Sequence, residues 1–258
     1  MDQRWSSMDS LPVVADALNV EAFDVVWFGE GGEVRWPLSK AADAAFEDVV
    51  PVREFPSYRG QRHFPGLYWA ASMDRHVGFE SWLERDHAIL LDFDPQVRAF
   101  ASQPFWLHWR DSASGSARTH APDYFARLAA GAGLVIDCRP VDRVDERSAV
   151  AFAATRRACE LVGWGYRLVG EFDPVRVANF RWLAGYRHGR YGCGPAMAEV
   201  VRSAFWNPAP LVAQAAEIGD PITVLPVVFH LLWQGQLTAD LSRPLSDHTL
   251  VSRAGAGR

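Results

Sequence analysis

The sequence predicts a mixed α/β fold on three observations. Short β-prone runs alternate with amphipathic helical runs through residues 23 to 172, glycine-rich turns punctuate the β runs, and helical texture takes over after Asp173-Pro174. That change of texture divides the chain into residues 1–172 and a smaller helical region, residues 173–258.

The elements follow in order. FDVVWFGEGGEVRWPL, residues 23–38, has apolar runs on either side of Gly-Glu-Gly-Gly and reads as a hairpin. Its glycines form no phosphate loop, because no Gly-Lys-Ser/Thr ending leads into a helix. Residues 41–49, AADAAFEDV, read as a short helix. The next stretch interleaves Arg53, Arg59, Arg62 and His63 with Phe55, Tyr58, Phe64, Tyr68 and Trp69, a composition that suits either a nucleic-acid contact or a surface loop with buried rings. Residues 78–91, GFESWLERDHAILL, predict a helix with Phe79, Leu83 and Leu90 near one face and Glu80 and Glu84 one turn apart. VRAFASQPFWLHW reads as two strands broken at Gln103-Pro104, and RDSASGSART as a polar loop.

HAPDYFARLAAGAGLVIDCRP, residues 120–140, predicts an antiparallel hairpin of Tyr124–Leu128 and Leu134–Arg139. A turn near residues 131 and 132 sets Asp123 opposite residues 139 to 141, and the strand period puts Asp137 and Arg139 on one face with Ile136 and Cys138 on the other. An acid inside Leu-Val-Ile-Asp-Cys is costly without a partner, so it is either functional or paired with Arg139. A helix over 146–162 and a strand in GWGYRLVGE complete the α/β region. Beyond Asp173 come three helical runs, then a helix opened by Pro221 and two short extended pieces.

Composition narrows the function classes. Hydrophobic content of 49% over 258 residues supports real cores, and a net charge of -5 excludes a molecule that binds phosphates over its whole surface. Lys40 is the only lysine among 26 basic residues. Cys138, Cys159 and Cys193 show no CxxC zinc spacing. No apolar run reaches the roughly 18 to 20 residues that span a bilayer, and the start MDQRWSSMDS lacks a signal core, so a cytoplasmic protein without a membrane partner is expected. Ser246-Asp247-His248 is no hydrolase triad, since a triad is assembled from distant positions.

The acids suit phosphodiester hydrolysis, which needs a strong nucleophile made from water and neutralisation of charge building on phosphorus. Mg²⁺, with Mn²⁺ as a substitute, takes hard oxygen ligands and keeps several waters. Asp123 and Asp137 supply two carboxylates and Glu84 or Glu80 a third, while Arg139 takes the cation place two residues past the second acid. This is the pattern of a PD-(D/E)xK metal-dependent endonuclease.

The blocks FPSYRGQRHFPGLYW, ESWLERD, LLDFDPQVRAFASQPF, HAPDYF with VIDCRP, and PITVLPVVFHLLWQGQLTADLSRPLS together resemble the TnsA-type endonuclease subunits of heteromeric transposases. The resemblance implies a restriction-endonuclease-like mixed sheet flanked by helices, with a small helical, winged-helix-like C-terminal domain that docks on an AAA-type transposition ATPase. It implies Mg²⁺-dependent cleavage of the 5′ ends of a transposon while a DDE-type transposase cuts the 3′ ends. The family's helix acid falls on Glu84, with Glu80 one turn before it, and its first strand acid on Asp123. Where its best-known form has glutamine and then lysine, this chain has Asp137 and Arg139. Arginine does not readily yield a proton, so Arg139 can orient water and neutralise phosphate but not act as a base. Beside the active endonuclease subunit stand two other readings: an inactive regulatory or docking subunit, and a stand-alone restriction or repair nuclease.

Overall fold

The computed structural model describes residues 18–55, 64–111 and 114–255, within two compact units, Met1–Glu171 and Phe172–Arg258. The first carries β1 (Asp24–Gly29), β2 (Gly32–Pro37), α1 (Leu38–Ala41), β3 (Gly66–Ala70), β4 (Arg75–Phe79), α2 (Trp82–Phe93), β5 (Val97–Ser102), β6 (Trp106–Arg110), β7 (Ala117–His120), β8 (Tyr124–Leu128), β9 (Gly133–Cys138), α3 (Glu146–Leu161) and β10 (Gly165–Val169). The expected mixed α/β class is what forms.

One sheet runs β2–β1–β6–β7, antiparallel throughout. The other runs β10–β9–β8–β5, antiparallel except for β9 and β10, which lie parallel because α3 carries the chain across between them. An aromatic core that includes Trp27, Phe46, Phe105, Phe125 and Trp164 joins residues of both sheets to Ala154, Ala158 and Cys159 of α3. Phe46 meets Trp27, Phe105, Phe125 and Trp164 with ring centroids 4.8–5.7 Å apart. Burying each such ring contributes roughly 1.5–3 kcal/mol. Gly133 opens β9 where a Cβ would come within 2.8 Å of Trp164 and 2.9 Å of Phe125.

Buried Asp92, in the last turn of α2, accepts Tyr68 Oη at 2.7 Å and the amides of Ala71 and Ser72 at 3.0 and 2.8 Å. Three donors repay the cost of burying a carboxylate and pin the β3–β4 hairpin to α2.

Several local expectations are corrected. Residues 41–49 are not a helix: α1 ends at Ala41 and a 3₁₀ turn spans Phe46–Asp48, because the fully buried Phe46 ring sets the path of a segment too short to hold a helix alone. The helix expected over 78–91 begins only at Trp82, since Gly78 and Phe79 are used in β4. The supposed polar loop ends in β7, which pairs with β6. β3 lies in the stretch read only as basic and aromatic and pairs with β4 just beyond it. Of that stretch, residues 56–63, with Tyr58, Arg59, Arg62 and His63, lie outside the described residues.

The second unit comprises α4 (Pro174–Ala184), α5 (Gly194–Ala204), β11 (Ala209–Pro210), α6 (Leu211–Ile218), α7 (Pro221–Trp233), β12 (Leu237–Ala239) and β13 (Leu250–Arg253). The strands form a small sheet in the order β11–β13–β12. Asp173 and Asp220 cap α4 and α7 through their side chains, each before a proline that needs no amide partner. Asn179 of α4 donates to the carbonyls of Leu241 and Arg243 and accepts from the Leu245 amide, which fixes the loop between β12 and β13. Among the described residues no single helix is long and apolar enough to cross a membrane; α6 and α7 pass together only as a pair bent by 119°.

Candidate active site

The start of α2 places the first pair of acids. Ser81 is the N-cap, and its Oγ accepts the Glu84 amide at 3.2 Å. The Glu84 carboxylate reaches back to accept Ser81 Oγ and the Glu80 amide, both at 2.7 Å. This is a variant of the capping box, with the amide before the cap satisfied. Glu80 therefore lies outside the helix and shares no helix face with Glu84, yet the cap brings the two together. Glu80 Oε2 accepts Arg53 at 2.9 Å, while its buried Oε1 has no hydrogen-bond partner among the described residues.

The β8–β9 hairpin places the second pair. Tyr124 pairs with Ile136, so the register sets Asp123 across from Asp137 rather than residues 139 to 141. The turn is centred closer to β8 than its glycines suggest. Asp123 Oδ2 accepts the Cys138 amide at 2.7 Å, and its carbonyl accepts the Gln103 amide at 2.9 Å. Gln103 adopts a left-handed φ of 45° between β5 and β6, a strained conformation that the Val52 amide also holds through the Gln103 carbonyl.

Asp137, only 1% exposed, is held from two sides: His120 Nε2 lies 2.8 Å from Oδ1, and Tyr166 Oη donates to Oδ2 at 2.8 Å. Its compensation is thus not an ion pair with Arg139. Arg139 instead turns onto the following segment, its Nε donating to the Arg143 carbonyl at 3.2 Å. Alternation along β9 puts Asp137 on the side of Val135, which packs with α3, and Ile136 and Cys138 on the other. Tyr124, paired with Ile136, donates to the Glu84 carbonyl at 3.2 Å, which marks that other side as the α2 side. Glu84 and Asp137 thus approach the end of the hairpin from opposite faces.

All of the expected site residues, Glu80, Glu84, Asp123, Asp137 and Arg139, border one cleft of about 560 Å³. Arg53, from the basic and aromatic stretch, joins them there, as do residues that the sequence reading passed over: Ser81, Thr119, His120, Arg143, Arg147 and Ser148. His120 stands three residues before Asp123 in His-Ala-Pro-Asp, and the Ser-Trp-Leu-Glu cap signature was present at residues 81–84. Nothing local in the sequence marks Tyr166, and the stretch that holds Arg53 does not mark its pairing with Glu80.

Electrostatics sets the acids against one another. Burial raises the Asp123 carboxyl well above its usual range, Glu84 and Asp137 raise it further, and the Cys138 amide opposes them. Burial also raises Glu84, against the lowering effect of its bonds to Glu80 and Ser81. Burial holds the Cys138 thiol well up, with Asp123 and Glu84 adding to it, so it is no ready thiolate.

The donor chemistry fits a hard divalent cation. The oxygens are carboxylate, neither Glu80 Oε1 nor the second Asp123 oxygen has a hydrogen-bond partner among the described residues, and a cation would relieve the repulsion that raises Asp123. Among the described residues no three His, Cys, Asp or Glu side chains form a preassembled metal cage. The hydrogen bonds explain why: both oxygens of Glu84 serve the cap and both of Asp137 serve His120 and Tyr166. Comparison with known proteins finds no matching family model and no significant match among curated proteins.

Proposed function

We propose that the chain is a metal-dependent DNA endonuclease of the PD-(D/E)xK type, acting as the TnsA-like subunit that cleaves the 5′ ends of a transposon. The observation that carries this reading is the convergence of Glu80, Glu84, Asp123 and Asp137 on one cleft that arginines also line. Two topologies support it. The path α2, β5, β8, β9, α3, β10, with β9 and β10 parallel, suits a restriction-endonuclease-like core, in which β6 and β7 are an insertion. The path α5, β11, α6, α7, β12, β13, with sheet order β11–β13–β12, suits a winged helix. Its α7, PITVLPVVFHLLW, has no basic face for reading DNA, in keeping with docking on an AAA-type ATPase.

Mg²⁺ held by Asp123 and Glu80, with Glu84 and Asp137 completing the set, would supply a Lewis acid and a lowered pKa for its bound water. The chain's own groups do the rest. The cap aims Glu84, the Cys138 amide fixes one Asp123 oxygen and leaves the other toward the cleft, and Arg139 neutralises phosphate without taking a proton.

The test combines the protein with its DDE-type transposase, transposon-end DNA and Mg²⁺ or Mn²⁺, and maps nicks at the ends. Cuts at the 5′ ends that vanish in D123N and D137N support the reading; intact 5′ ends reject it. A second reading, a docking subunit that does not cut, draws on the engagement of both Asp137 oxygens and the turning of Arg139 onto the Arg143 carbonyl.

A further inference from the structure

The segment from β9 into α3, Arg139-Pro-Val-Asp-Arg-Val-Asp-Glu-Arg147, is neutral in sum, with arginines at every fourth place and acids between them. The fold sorts it by sign. Arg139, Arg143 and Arg147 border the cleft, whereas Asp142, Asp145 and Glu146 do not. Asp145 spends an oxygen on the Ser148 amide at 2.7 Å as the cap of α3. None of the three arginines has a carboxylate within ion-pair distance among the described residues, unlike Arg53, which pairs with Glu80 at 2.9 Å, and Arg127, which pairs with Glu47 at 3.0 Å. The exposed Asp145 carboxylate acts on Arg139 and Arg147 only from farther away. Arg143 and Arg147 are exposed, and the bond from Arg139 Nε to the Arg143 carbonyl fixes the spacing of the first two. The cleft is thus lined by carboxylates and by a run of arginines that none of those carboxylates pairs with.

We infer that Arg139, Arg143 and Arg147 form a phosphate track that grips the nucleic-acid strand beside the bond to be cut. Guanidinium forks match phosphate oxygens in pairs, and three of them in a row suit a repeating polyanion better than a single small anion. The track explains how an acidic protein takes up DNA: its affinity is confined to one run of arginines. The inference deepens the nuclease reading, from which it takes the identity of the strand, but it stands on the arginines rather than on the acids.

The experiment measures binding of the full-length protein to a fluorescein-labelled 30-base-pair duplex, and to one of its single strands, by anisotropy across a salt series in EDTA, so that no cleavage intervenes. R143A and R147A are each expected to weaken binding roughly tenfold. Each is expected to lower the slope of log K against log salt by about 0.9 on duplex or about 0.7 on single strand. R147K should keep the slope, and R98A, on the exposed edge of β5, should change nothing. Circular dichroism melts check that the variants fold. Folded R143A and R147A proteins with wild-type affinity and slope would overturn the inference. Altered slopes in a protein that never cuts DNA would uphold the track while removing the nuclease.

Discussion

His120 Nε2 lies 2.8 Å from Asp137 Oδ1, and the His120 ring meets Phe152 edge-on at 5.6 Å, so one half-buried imidazole links the deepest acid of the cleft to α3. In the tautomer that satisfies Asp137 Oδ1, Nε2 carries the proton and donates it. Deleting either donor leaves an oxygen of a nearly inaccessible carboxylate without its bond. Y166F and H120A should each destabilise the protein by roughly 1–3 kcal/mol. In urea denaturation, D137N should shrink the penalty of both. Additive penalties in the double variants would show that the three side chains do not form one network.

The cap of α2 ties stability to aim. S81A should cost about 1 kcal/mol, the usual loss for an N-cap serine. It also removes the hydroxyl that Glu84 Oε1 accepts at 2.7 Å, so cleavage should fall further than the melt accounts for. S81T, which keeps the hydroxyl, should restore both. Equal losses in S81A and S81T would separate the cap from the placement of Glu84.

Asp123 carries the pH prediction for the cleft. Its folded pKa is raised above 3.8 by burial first and then by its acidic neighbours, so its protonated form favours folding and its ionised form opposes it. Stability from this group is greatest in acid and declines as pH rises from about that value through the raised one. At neutral pH, D123N should therefore melt at a higher temperature than the wild type without metal. Added Mg²⁺ should raise the wild-type melting temperature, as any ligand of the folded state does, with less effect on D123N and less in acid. A D123N protein that melts lower than the wild type in EDTA would contradict the repulsion.

His87 works in the opposite direction. Burial lowers its pKa from 6.5 to about 4, and Nε2 lies 3.0 Å from the Gly170 carbonyl, so the ring is neutral and donates through Nε2. As pH falls through 6.5 the unfolded chain takes up a proton that the folded ring refuses, and stability is lost until about pH 4. The loss is of order 3 kcal/mol at most. H87Q keeps a donor for Gly170 and should flatten the stability profile across that window; an unchanged profile would remove His87 as the acid-sensitive group.

Period and punctuation made most of the strands legible, because a half-buried strand writes its alternation into the sequence, as in β8 and β9. Asp137 was legible because an acid interrupts a run that the core would fill with apolar side chains, and Glu84 and Asp123 through helical spacing, the hairpin and the family resemblance. The register was not: Gly131 and Gly133 mark a turn but do not say which strand ends first, and Gly133 is consumed by the approach of Trp164. Residues 41–49 misled because helix propensity is weak against one ring, Phe46, that the core requires. Tyr166, 29 positions from Asp137, becomes its partner only once β9 and β10 align in parallel. Long-range partners of this kind leave no local trace.

End-mapping tests the proposed cleavage of DNA by this cleft most directly. End-labelled transposon DNA is incubated with the protein and the proposed partner, a DDE-type transposase, in Mg²⁺ or Mn²⁺, with EDTA and D123N as paired controls. The account predicts nicks at the 5′ ends that require the metal and fall by at least roughly a hundredfold in D123N, the scale on which removing a main electrostatic group acts. Nicks of equal yield in D123N, or 5′ ends left whole while the transposase cuts the 3′ ends, would contradict it.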